Sequence, residues 1–277
     1  MSINIVTESL ERTKRFERGR RARSARSLIS SNRNYFCRVT GLSAFEKGLC
    51  WSLYKYMEAD FVHFLEYVPY TDYNSKVYSP KLLAMLLQAC GYIDTVFKEM
   101  AKFSDFKNIP ECQAINALEP GGYKEYNIGL ARTAFEKVYS LSSNNRASLI
   151  AKLDWVGDKS LLPFEKFGQG QSPDWWREYN NVKHTWSSAI EQANMDNVLL
   201  ALAGAFLLNA IHYPSIELLW RLGVLKTVVR VSGGYTDTHM PESMFQSMIQ
   251  KAISGLKPIG YDIAMETPLF LYVKMTP

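Results

Sequence analysis

Histidine and cysteine are both scarce in this chain, with four of each in 277 residues. The cysteines (Cys37, Cys50, Cys90 and Cys112) show no metal-type pair spacing. His63, His212 and His239 form no sequence-local cluster with cysteines or carboxylates, so no metal site is expected. Cys50 and Cys90 sit within apolar helical patterns, where a cysteine acts as a small hydrophobe. The sequence also lacks a long apolar run. The longest, Val198 to Ala210, is too short to span a bilayer and reads as a buried helix. The N-terminus shows no secretory pattern. A reduced, cytoplasmic setting with no membrane association is the expectation. No nucleophile elbow is present, and Gly168 and Gly170 are not followed by the Lys-Ser/Thr of a phosphate loop, so no cofactor is expected.

What is present is an ordinary globular composition, 47% hydrophobic and 21% charged, enough for a substantial core. The net charge of +5 is not evenly spread. Residues 11–26 carry Arg12, Lys14, Arg15, Arg18, Arg20, Arg21, Arg23 and Arg26 against Glu11 and Glu17, a net of +6, which leaves −1 for the remainder. Basic character therefore belongs to an arm over residues 1–40. Such an arm suits phosphate backbone through counterion release. A solvated tail, or one packed on an acidic partner chain, fits it equally.

Apolar residues recur three and four apart over 43–68 (Leu49, Leu53, Met57, Phe61, Phe64, Val68), which predicts a helix capped by Ser43 and stopped by Pro69. His63 on it reads as a partly buried structural histidine. Ser79-Pro80 opens a second helix, buried along Leu82, Leu86, Ile93, Phe97 and Met100. Residues 104–172 are irregular, with short helices and a strand or hairpin among Gly and Pro signals. Beyond 212, "SIELLWRLG" and "PESMFQSMIQKAISGL" read as helices and "PLFLYVKM" as a strand. "GVLKTVVRV" is ambiguous, and "SGGYTDTH" reads as a turn. The body is expected to be mostly α with small β additions: a helical domain over 41–212 and an extension over 213–277 packed on it.

The richest stretch is "PDWWREYNNVKHTW", residues 173–186. Ser172 is an N-cap type, Pro173 suits the first helical position and Asp174 suits the positive helix end. At 100° per residue, Trp175, Tyr179, Val182 and Trp186 form one apolar stripe. Arg177, Asn180, Asn181 and His184 point away from it, with Trp176 and Lys183 on the flanks. A plain solvated face is the common fate of such residues. Arg, Asn, Asn and His beside a Trp also suit a polar interface or an anion site, and those alternatives stay open on spacing alone.

"WWREYNNVKH", preceded by "LLPFEKFGQGQSPD" and followed by "AIEQANMDNVLLALAGAFLL", resembles the HEPN superfamily over roughly residues 43–211. The resemblance implies a HEPN-like helical bundle, a homodimer and metal-independent endoribonuclease activity of the kind found in toxins and antiviral defence effectors, with RNA as substrate and a cognate antitoxin or effector as a partner. It assigns catalysis to Arg177, Asn180 and His184, and substrate binding to Asn181, Lys183 and Trp176. Arg12, Arg15, Arg18, Arg20, Arg21 and Arg23 would form a nucleic-acid arm. One departure is plain: the family's usual Arg position, five before the His, holds Tyr179, and Arg177 lies two residues further back.

The chemistry so implied is coherent. A 2′-hydroxyl loses its proton to a base and its oxygen bonds to the neighbouring phosphorus. The bond from phosphorus to the 5′-oxygen breaks, and an acid protonates that oxygen. An imidazole serves as base or acid near neutral pH, and a guanidinium stabilises the charge on phosphorus. The alternatives are a non-catalytic RNA-, nucleotide- or protein-binding module of the same fold, and a helix that serves only for dimerisation.

Overall fold

A computed structural model describes residues 45, 48–117, 127–142, 148–153, 157–232, 234–255 and 262–274. The basic arm, including Arg12, Arg15, Arg18, Arg20, Arg21 and Arg23, lies outside the described residues, as do Cys37 and Ser43. Ser43–Pro277 form one compact unit, so the expected extension over 213–277 is continuous with the helical body.

Helices α1 (Leu49–Leu65), α2 (Pro80–Ala101), α3 (Pro110–Ala117) and α4 (Ile128–Tyr139) come first. A hairpin of β1 (Ser148–Leu153) and β2 (Gly157–Leu161) follows, then α5 (Asp174–Ala189), α6 (Met195–Ile211) and α7 (Tyr213–Arg221). The chain continues with β3 (Leu225–Val231), β4 (Gly234–Thr238), α8 (Glu242–Ser254), β5 (Ile263–Glu266) and β6 (Phe270–Lys274). The fold is mostly helical with a small antiparallel sheet.

α6 is apolar on every side, and such a helix has to be central. Its residues from Val198 to Ala210 are buried apart from a half-buried Leu200. It packs along α2, and α1 and α5 each lie against both. A Cβ on Gly204 would meet Phe164 Cζ at 3.1 Å and Ile93 Cδ1 at 3.5 Å, so glycine lets α2 and Phe164 approach closely there. The one polar residue in that buried stretch, Asn209, is used. Its amide donates to Tyr92 Oη at 2.7 Å and to Ala205 O at 2.9 Å, and the Tyr92 hydroxyl donates to Cys50 O at 3.0 Å. That chain of bonds fixes α1, α2 and α6 to one another.

Side-chain caps open three of the helices. Ser79 Oγ accepts from Leu82 N at 3.1 Å, with Pro80 at N1, as the sequence predicts. Asn127 accepts from Gly129 N and Asn194 from Asn197 N. α1 begins later than expected, after Gly48 in the left-handed region at φ 71°. Its buried face is Cys50, Trp51, Tyr54, Met57, Glu58, Phe61 and Leu65. Leu49 and Leu53, expected in the core, are exposed, and His63 is exposed beside Glu66 rather than half-buried.

α6 and α7 meet at a bend of 83°. His212 sits there, buried, with Nδ1 2.9 Å from the Tyr139 hydroxyl and rings of Phe45, Phe103 and Phe106 around it. Burial pushes its pKa down to about 3.

The sheet order is β2-β1-β6-β5-β3-β4, with every pairing antiparallel. β-branched residues settle "GVLKTVVRV" as β3. "SGGYTDTH" is less of a turn than expected: Gly234–Thr238 are β4, paired back on β3 with Val231 opposite Gly234. The hairpin at 148–161 joins the terminal strand β6. Phe270 of β6 packs on Phe206 of α6, with ring centroids 5.5 Å apart. A second tie is polar. The buried Glu58 Oε1 accepts from Tyr54 Oη at 2.8 Å, from Leu269 N at 3.2 Å and from Thr267 Oγ1. Burial raises the Glu58 pKa, and the hydrogen bonds partly offset that.

Candidate functional site

α5 is anchored by its aromatics. Trp175 is 1% exposed and donates from Nε1 to Pro163 O at 2.8 Å. Tyr179 and Val182 continue the stripe into the core. The helix starts one residue later than expected: Pro173 occupies the N-cap position, and no side chain caps the end.

Trp176 departs from the sequence expectation. It is 7% exposed, packed edge-on against Trp175 at 5.8 Å and against Tyr179 at 5.1 Å. It widens the buried face and is not placed to bind substrate. Trp186 departs the other way: it belongs to the stripe on an ideal wheel, yet it is 61% exposed. The cause is a kink at Thr185, whose backbone is non-helical at φ −136°, ψ 41°. The Thr185 hydroxyl donates to Asn181 O at 2.7 Å, a competing bond of the kind that bends helices. The wheel fails beyond that point.

Arg177, Asn180, Asn181, Lys183 and His184 are all exposed. Five of the six residues assigned to the site are therefore open to solvent, with Lys183 on the flank over the Tyr179 ring. Arg177 and His184 are seven residues apart, about 10 Å along a helix axis, with the asparagines between them. Arg177 is not free: its guanidinium bonds Asp174 Oδ1 one turn earlier. Asp174 also holds Lys166 at 2.6 Å. Both pairs are largely solvated, and such pairs contribute roughly 0–1 kcal/mol each. Lys183 Nζ lies 5.5 Å from the Tyr179 ring centroid, a weak cation–π contact. Among the described residues, His184 has no side-chain hydrogen bond.

Asp174 was legible from sequence only as a helix-dipole residue, and its spacing of three from Arg177 was the unused signal. The bonds of Thr267 and Leu269 to Glu58 were missed because they close across more than 200 residues. The available signal was an acidic residue on the stripe Tyr54, Phe61 and Leu65. Among the described residues, no three His, Cys, Asp or Glu side chains come together to hold a metal. No protein-family model, curated protein or solved structure matches the chain.

Proposed function

We propose that the protein binds RNA, with the exposed face of α5 contacting the sugar-phosphate backbone and the basic arm supplying most of the electrostatic attraction. The observation that carries this reading is that Arg177, Asn180, Asn181, Lys183 and His184 all face solvent on a helix held rigid by buried Trp175, Trp176 and Tyr179. Amide and imidazole groups suit phosphate and ribose hydroxyls. The charge balance explains the division of labour. Asp174 offsets Arg177, which leaves Lys183 as the face's remaining cation, whereas residues 11–26 carry a net +6. In fluorescence anisotropy with single-stranded RNA, Asn180→Ala combined with His184→Ala is expected to weaken binding several-fold. Unchanged affinity would remove α5 from the interface.

Metal-independent cleavage of the HEPN type is the second reading. It is favoured by His184, whose ring is open to a substrate proton. It requires RNA cutting in EDTA that leaves 2′,3′-cyclic phosphate ends and disappears in His184→Ala. Binding without cutting across a broad RNA panel decides for the first reading.

A further inference from the structure

One end of the helical body carries exposed rings that the fold does not use. α1 ends there, α2 and α6 begin there, and α5 ends just before α6 starts. Tyr67 is 74% exposed, Tyr73 98%, Tyr78 51% and Trp186 61%. The three tyrosines lie on the connection from α1 to α2, residues 66–79, and its backbone is pinned to the start of α6. Met195 N donates to Val77 O at 3.1 Å and Asp196 N to Ser75 O at 3.0 Å. Tyr78 forms an isolated antiparallel bridge with Asn194. Within the connection, Asn74 Nδ2 donates to Pro69 O at 2.9 Å, and the buried Tyr70 donates its hydroxyl to Asp196. An exposed tyrosine on a pinned backbone offers a large contact area and has only two side-chain torsions to fix on binding.

Charge selects the partner. Over residues 60–81 and 185–197 both lysines are bound internally, Lys81 to Asp60 at 2.8 Å and Lys76 to Asp196 at 3.1 Å. Glu66 meets only the exposed His63, at 3.0 Å. Asp72 and Glu191 have no ion pair among the described residues. Three carboxylates are thus left without a lysine or arginine at this end, and they repel a phosphate backbone. Two of them directly precede an exposed ring in the chain, as Glu66-Tyr67 and Asp72-Tyr73. A guanidinium answers both members of such a pair, because its plane stacks on a phenol and its N–H groups fork to a carboxylate. An ammonium is a point charge without a plane and matches only the carboxylate.

We propose that this end of the body docks an arginine-rich segment of a partner protein, with guanidinium groups stacked on Tyr67 and Tyr73 and paired with Glu66 and Asp72. Tyr78 and Trp186 extend the apolar ground on either side. None of these residues belongs to the polar face of α5, so this docking and RNA binding stand or fall separately.

Fluorescence anisotropy with the full chain tests the surface, using labelled nona-arginine and nona-lysine peptides as probes. The arginine peptide is expected to bind several-fold tighter than the lysine peptide. Tyr73→Ala is expected to weaken arginine binding about tenfold, as the loss of an aromatic anchor does. Asp72→Asn is expected to weaken it several-fold. Circular dichroism and melting temperature should not move in either variant, because Tyr73 and Asp72 lie outside the core. Absence of arginine-peptide binding into the high micromolar range overturns the proposal. Equal affinity for the two peptides overturns it too, since charge alone then accounts for binding. So does arginine binding indifferent to Tyr73→Ala, which places the peptide elsewhere. A Tyr73→Ala chain that loses single-stranded RNA while keeping the arginine peptide assigns this end to nucleic acid instead.

Discussion

At the scale of single residues, two buried titratable groups give this protein opposite responses to pH. His212 has its folded pKa pushed down from 6.5 to about 3 by burial. A depressed folded pKa means that its contribution to stability is complete above about pH 6.5 and is lost as pH falls toward 3. At 1.36 kcal/mol per unit the limiting loss is about 5 kcal/mol. Chemical denaturation at pH 7 and pH 4.5 should show a marked fall for the wild type and a smaller one for His212→Gln. Parallel losses in both proteins would contradict this. Glu58 has a raised folded pKa, so its charge weakens the fold as pH rises through that value. Its acceptor oxygen is nonetheless needed by three donors. Glu58→Gln keeps an acceptor without the charge and is expected to match or exceed wild-type stability at pH 7. Glu58→Ala orphans the donors and should cost about 3 kcal/mol. Urea melts distinguish the pair.

Among the elements, α5 shows how far periodicity carries. Its stripe was readable at Trp175, Tyr179 and Val182 because a straight helix obeys the 100° rule. It failed at Trp186 because the Thr185 hydroxyl competes for the Asn181 carbonyl and breaks the repeat. The two tryptophans should therefore behave differently. Trp175→Ala is expected to cost about 3–5 kcal/mol, and Trp186→Ala within about 0.5 kcal/mol. Thermal melts and the fluorescence of the remaining tryptophans read both. α1 shows a complementary failure. Met57 and Phe61 are buried as the spacing predicts, but Leu49 and Leu53 are not, and Cys50, Trp51 and Tyr54 turn inward in their place. Periodicity reports how many apolar faces a helix has and not which of them meets the core of its own chain. The candidate site was legible as a list of exposed residues, while the Asp174 partner of Arg177 and the burial of Trp176 were not.

For the whole molecule, charge is segregated, with residues 11–26 at a net +6 and the remainder at −1. If the arm carries RNA affinity as proposed, deleting residues 1–26 lowers affinity and flattens its salt dependence. The slope of log K against log salt should fall by about 0.7 for each single-strand phosphate that the arm no longer neutralises. An unchanged slope would exclude the arm from nucleic-acid binding. The sequence by itself determined the helix starts at Ser79-Pro80, the central role of the all-apolar α6, the strand at Phe270–Lys274 and the outward face of Arg177, Asn180, Asn181 and His184. These depend on local propensity and short-range period, which act within a few residues. Only the tertiary structure decided the six-strand order that joins β1 to β6, the clamp of Thr267 on Glu58, the aromatic enclosure of His212 and the stripe that α1 leaves outside. Each depends on which surfaces meet over long separations in the chain, and no local pattern carries that information.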